Sequence, residues 1–296
     1  MKNNSDSAWK EILDAYFKEF IEYCLPNVRA LIDWQKPCIS LDKELQMILR
    51  GAKTGKRLLD KLFKVYLKNG REQWILIHVE IQQAKEKDFA KRMFVYGYRI
   101  FDKYQQAVLS CAILTDHHVH WRLNSFKIGF ADSYLCSQFV VIKMIDYREQ
   151  LKELEASDNI FACVIYSQLG AMELSRKPEV ERKQGKFALT KRLYIKGYNK
   201  EEISNLYKFI DWVIGLPKPL EIEYINEVNQ LEEINKMAYV TSMERYGKIV
   251  FRNQGRQEEK KEIAKRMLEA GFDLVAIQKI TRLSTEEIES LTAIEI

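Results

Sequence analysis

Apolar and polar side chains alternate with a period of two along residues 57–82, and the alternation is interrupted once, at Lys68-Asn69-Gly70. The odd positions Leu59, Phe63, Val65 and Leu67 of the first run and Ile75, Ile77, Val79 and Ile81 of the second form an apolar face, with Lys61 the exception. Asp60, Lys64, His78, Glu80 and Gln82 share the other side, because successive side chains of a strand point to opposite faces. β-Branched and aromatic residues dominate both runs and Asn-Gly is a strong turn signal, so a β-hairpin is predicted. A two-residue loop at Asn69-Gly70 would set Asp60 opposite Val79 and spoil both faces. A three-residue loop with Gly70 left-handed instead sets Asp60 opposite His78, with Glu80 on the diagonal roughly 5–8 Å away between Cβ atoms.

Elsewhere the spacing is helical. Residues 7–25 carry Trp9, Ile12, Leu13, Tyr16, Phe17, Phe20, Ile21 and Leu25 on one stripe, with Pro26 at the end. A short helix is predicted over 42–49, a longer one over 88–104, a strand over 108–114 and a last strand over 139–145. The order helix, two antiparallel strands, helix, strand, strand predicts an α/β fold with a mixed central sheet flanked by helices. From about residue 158 the chain reads as all-helical, with helices over 159–173, 180–197, 200–214, 223–235 and 239–251 and with Pro217 and Pro219 in the middle. The tail adds short helices over 257–270, 274–280 and 284–291, where Gly271 ends the first and Ser284 with Glu287 makes a capping box for the last. Three parts follow: a sheet domain over 1–157, a helical region over 158–254 and a helical tail over 255–296.

Composition narrows the class. With 47% hydrophobic and 30% charged residues, the 296-residue chain has the make-up of a soluble globular protein. No apolar run reaches the roughly 18 residues that span a bilayer, and the first residues lack the apolar segment of a signal peptide. The 5 cysteines are scattered, with no CxxC pair, and read as reduced thiols that mostly fill core. A cytoplasmic protein with no membrane partner is expected. The net charge of +5 is compatible with a polyanionic partner and is weak support for one.

The hairpin carries the candidate chemistry. Hydrolysis of a phosphodiester needs positive charge at the phosphate and an activated water, and Mg²⁺ or Mn²⁺ held by carboxylate oxygens supplies both. Asp60 and Glu80 are the expected ligands, with the carbonyl of Ile81 as a third and Glu44, in the short helix before the hairpin, as a further acid. Gln82 can orient a water, while Lys64 and Arg92 are candidates for the cation beside it. Arg92, Tyr96 and Arg99 share a helix face at i, i+4 and i+7 spacing, which is either a phosphate-binding face or a solvated basic one. The plainer alternative makes Asp60 and Glu80 surface acids, although Asp and Glu are poor strand formers set here inside strongly apolar runs. His117, His118 and His120 lie in a loop with no nearby cysteine and do not read as a zinc site. Residues 277–291 look like a minimal helix-turn-helix joined by Thr281-Arg282-Leu283; it would either enter a major groove or pack on the body or a second subunit.

These residues carry a wider likeness. The strings Leu41-Asp42-Lys43-Glu44-Leu45-Gln46, Asp60-Lys61-Leu62, Ile77-His78-Val79-Glu80-Ile81-Gln82 and Phe89-Ala90-Lys91-Arg92-Met93-Phe94-Val95-Tyr96 resemble the recombination-promoting nuclease and transposase-like family of bacteria, within the PD-(D/E)xK nuclease superfamily. The likeness continues through Phe209-Ile210-Asp211-Trp212 and Tyr239-Val240-Thr241-Ser242-Met243-Glu244-Arg245 and so covers nearly the whole chain. It implies a PD-(D/E)xK-like sheet, a metal-dependent DNA endonuclease acting in a bacterial cytoplasm, and DNA as partner. Asp60 matches the first acid, Glu80 the second, and Gln82 stands where the motif's lysine would orient the water. A double-strand cut from one-metal sites would call for a homodimer. The competing reading is a non-catalytic DNA-binding or assembly protein derived from a nuclease.

Overall fold

The computed structural model describes residues 2–43, 45, 59–80, 88–234, 260–261, 263–268, 272–281, 283–284 and 288, with the backbone alone at 2–7, 59–60, 73–80, 234 and 275. The chain forms two compact units, Met1–Leu231 and Glu232–Ile296, so the boundary expected at 157/158 falls inside the first.

The stripe over 7–25 folds as two helices, α1 (Lys2–Ala15) and α2 (Phe17–Cys24), because the backbone leaves the helical region at Tyr16, φ −132° and ψ 40°. Each half has its own target. Trp9 of α1 meets Phe161 and Phe209, while Phe17 and Phe20 of α2 meet Phe63 and Phe161. Pro26 then opens a further turn, α3 (Pro26–Arg29), at a position where its missing N–H is no loss.

Strand β1 (Ile39–Ser40) is followed by β2 (Leu59–Tyr66) and β3 (Glu72–Glu80), the predicted hairpin. Leu67 N–H donates to the Arg71 carbonyl at 2.7 Å, and Gly70 lies at φ 82°, so Lys68-Asn69-Gly70 is a three-residue loop with a left-handed glycine. The register pairs Asp60 with His78 and Leu62 with Leu76, as that loop length requires. Helix α4 (Phe89–Tyr104) and β4 (Val108–Leu114) come next, then a separate hairpin of β5 (Ser125–Phe130) and β6 (Ser133–Gln138), which the pattern reading missed, and β7 (Val140–Lys143). The main sheet runs β1-β2-β3-β4-β7; β2 is antiparallel to β1 and β3, and β3, β4 and β7 are mutually parallel. This is a mixed α/β arrangement, as expected. The run over 139–145 divides, its second half becoming a 3₁₀ helix (Met144–Gln150).

Both faces of the sheet are covered. Leu62 packs with Tyr96 and Ile100 of α4, and Ala112 and Leu114 pack with Phe89, Ala90 and Met93 of the same helix. The even-numbered side of the hairpin is therefore not a wholly polar surface, since Leu62 makes it a helix-packing face. On the other side Phe63 stacks on Phe17 with 4.0 Å between ring centroids. Lys61, the exception in the apolar pattern, is buried there, where it pairs with Asp14 and Asp42.

Helices α5 (Leu151–Ala156), α6 (Ile160–Leu174), α7 (Glu179–Ile195), α8 (Lys200–Val213) and α9 (Lys218–Ile234) follow. Asn159 caps α6 by accepting from Phe161 N–H at 2.8 Å, and Asn199 with Glu202 forms a full capping box on α8. Helix α6 is buried nearly all round, and Trp9 of α1 donates to Gln168 within it at 3.2 Å. In the second unit α10 (Leu274–Thr281) is capped by Asp273, and Ala264, Ile277, Leu283 and Ile288 share a core. The helix predicted over 239–251 and most of that over 284–291 lie outside the described residues. Of the cysteines, Cys111 and Cys163 are buried, whereas Cys38 and Cys136 are exposed and fill no core. Among the described residues no helix is long and apolar enough to cross a membrane.

Candidate functional site

The parallel strands β3, β4 and β7 end on one edge of the sheet, and ligands in open α/β sheets gather at such carboxyl ends. Glu80 is level with Leu114, and Leu114 with Lys143. Positions 60 and 80 have the parity of Leu62 and Leu114, the residues that meet α4. The backbone thus brings the two acidic positions to neighbouring strands at that edge. Ile81, Gln82 and Glu44 lie outside the described residues.

The two candidate cations part company. Lys64 is four positions along β2 from Asp60, and its ammonium reaches Glu72 at 3.4 Å near the hairpin loop. Burial works against its charge, but hydrogen bonds to Glu72 and Tyr66 outweigh it and hold Lys64 above its ordinary value. Its commitment there, roughly 13 Å of extended strand from Asp60, removes it from the acids. Arg92 goes the other way. It is 4% exposed, on the sheet-facing side of α4 between Phe89 and Tyr96, with its guanidinium 5.7 Å from the centre of the Phe89 ring. Arg92 and Tyr96 therefore do not form a solvated face.

Pattern reading overlooked a second charged feature at the same edge. Lys143, fully buried at the end of β7, donates to Asp116 at 2.7 Å and to the Trp121 carbonyl at 3.0 Å. The other Asp116 oxygen accepts the His118 N–H at 2.7 Å. A lysine inside Val140-Val141-Ile142 and an aspartate just past Ile113-Leu114 were the available signals. His117 follows Asp116, half-buried, and is held below the ordinary histidine value first by burial and then by Arg176 and Arg148, against the pull of Asp116. Among the described residues no three histidines, cysteines or acids converge as a metal site.

The tail has its own signature. Residues 257–293 match the model of the Rpn/YhgA-like nuclease family, C-terminal HTH domain. The shared core of Ala264, Ile277, Leu283 and Ile288 is what short helices meeting at a tight turn produce, so the helix-turn-helix reading of this segment holds. Comparison with curated proteins and with solved structures gave no match. Over residues 257–293 the chain is thus similar to the C-terminal domain of the Rpn/YhgA-like nuclease family.

Proposed function

We propose that the protein is a Mg²⁺- or Mn²⁺-dependent DNA endonuclease whose site is the β2–β3 hairpin under the first turns of α4. The single observation that supports this most is the backbone register, which sets positions 60 and 80 diagonally on neighbouring strands with the parity of Leu62 and Leu114. Carboxylates at such positions suit a hard divalent cation, so the donor set fits the metal. A bound cation would supply positive charge at the phosphate and a more acidic water. Asp60 and Glu80 would hold it, with the Ile81 carbonyl and Glu44 as further oxygen donors.

The remaining roles fall to this chain's own side chains. Arg92, largely out of solvent, binds a phosphate oxygen through its guanidinium and orients the substrate. Gln82 holds a water by its amide but contributes no charge. The helix-turn-helix tail supplies a DNA-binding element, consistent with its family.

Plasmid cleavage in Mg²⁺ tests the reading. D60A and E80A should each abolish nicking while retaining DNA, and the wild-type thermal midpoint should rise with millimolar Mg²⁺ or Mn²⁺, because a ligand held only by the native state stabilises it. Full cleavage by both variants would refute the assignment. Retention of DNA by wild type with neither cleavage nor a metal-dependent midpoint would favour the non-catalytic reading.

A further inference from the structure

We propose that His117, Arg148 and Arg176 form a second phosphate-binding site, a clamp for the DNA backbone beside the bond to be cut. The inference rests on the nucleic-acid reading of the sheet edge but needs neither metal nor cleavage.

Topology assembles the three groups. His117 lies three residues beyond Leu114, the residue level with Glu80, so it is at most about 10 Å of chain from that row. Arg148 stands in the 3₁₀ helix that follows β7, and Arg176 just past the end of α6. The 3₁₀ helix packs against α6, and the charges of both arginines act on the His117 imidazole at the end of β4. A strand lying across the hairpin acids would carry its flanking phosphates into this region.

Charge then singles the group out. Arg148 and Arg176 are exposed and, among the described residues, neither has an acid within ion-pair distance. The neighbouring acids are committed elsewhere. Asp116 holds Lys143 and the His118 N–H, and Asp146 takes Arg122 through two hydrogen bonds, of 2.6 and 2.5 Å. Glu149 and Glu173, close to the arginines in sequence, form no ion pair with either. His117 adds a buried Nδ1 that has no hydrogen-bond partner among the described residues. A half-buried imidazole beside two exposed guanidiniums is a poor arrangement for cations alone and a good one for a phosphodiester, whose oxygens accept from both donor types. The guanidiniums that now disfavour the imidazolium would be neutralised by such an anion, so binding should draw a proton onto His117.

The test uses the full chain in EDTA, labelled with ¹⁵N, with a short oligothymidylate as probe. The imidazole resonances of His117 should shift on titration, and its apparent pKa should rise. R148Q/R176Q should weaken binding about tenfold at low salt and flatten the dependence of log affinity on log salt by about 0.7 for each phosphate no longer neutralised. R122Q, which removes an arginine already tied to Asp146, should bind as wild type does. Any contribution of the tail is common to all variants and cancels. An unmoved His117, or wild-type affinity and salt slope in R148Q/R176Q, would overturn the clamp. Inorganic phosphate shifting His117 as strongly as the oligonucleotide at equal phosphate concentration would also overturn it, as a site for the free ion. Binding is read in EDTA, where metal-dependent cleavage cannot occur, so a failure of the nuclease reading would show in cleavage alone.

Discussion

At the scale of single residues, buried lysines tie separate elements of the first unit to one another. Lys186 of α7 is fully buried and reaches Asp211 of α8 at 2.7 Å and Glu221 of α9 at 2.8 Å, with Tyr224 beneath it at 4.4 Å from the ring centre. One ammonium faces two carboxylates, and the excess shows in Glu221, which burial pushes up to about 7 while Lys186 opposes the rise. A carboxyl whose folded pKa is raised stabilises the fold fully below its unfolded value and loses that contribution as pH climbs through the folded one. Wild type should therefore lose ground to E221Q between about pH 4.5 and pH 7 and hold a constant gap above, as thermal midpoints across that range will show. K186M, which leaves both acids without their cation, should cost about 3–5 kcal/mol in denaturant unfolding at neutral pH. None of this was legible beforehand. The acids paired with Lys143 and Lys186 lie 25 to 35 positions away in the chain, and an isolated lysine in a helix or strand pattern reads as surface.

At the scale of elements, loop chemistry decided what could be read. The β2–β3 hairpin was legible because Asn-Gly marks its turn and two faces of opposite character fix the loop at three residues. Gly70 carries that geometry. It sits at φ 82° with nothing within 4 Å of a Cβ built on it, so G70A should cost about 1 kcal/mol through backbone conformation alone. Deleting Lys68 is the sharper change, since a two-residue loop would exchange the faces of one strand. Cleavage should vanish in that variant while far-UV circular dichroism stays close to wild type. The β5–β6 hairpin escaped notice although Phe126, Ile128 and Phe130 alternate with polar or small residues. Its turn uses Ala131 at φ 49°, a residue that gives no turn signal. The break at Tyr16 was hidden for a related reason, because both halves of the stripe keep one helical phase and only their tertiary partners differ.

At the scale of the whole molecule, the proposed function would divide between the two units, cleavage in the first and DNA binding in the second. A chain shortened to end before residue 257 should keep the thermal midpoint of the sheet-bearing unit but bind duplex DNA more weakly, with a shallower salt dependence, by fluorescence anisotropy. The tail was legible as a helix-turn-helix from its capping residues and turn. The candidate site was legible only as far as backbone register, since Gln82 and Glu44 lie outside the described residues and Arg92 became informative through burial no pattern could supply.

The N-terminal helix carries a cost for synthesis. Trp9 rests on Phe209 and donates to Gln168, Asn159 reaches back to the Glu19 carbonyl, and Asn205 donates to Tyr16 across 189 positions. The apolar stripe of α1 thus lacks a large part of its native cover until α8 has left the ribosome, an interval of roughly 10–40 s at ordinary elongation rates. Nascent chains stalled before residue 200 should be captured by chaperones, and those stalled well past 213 should escape them.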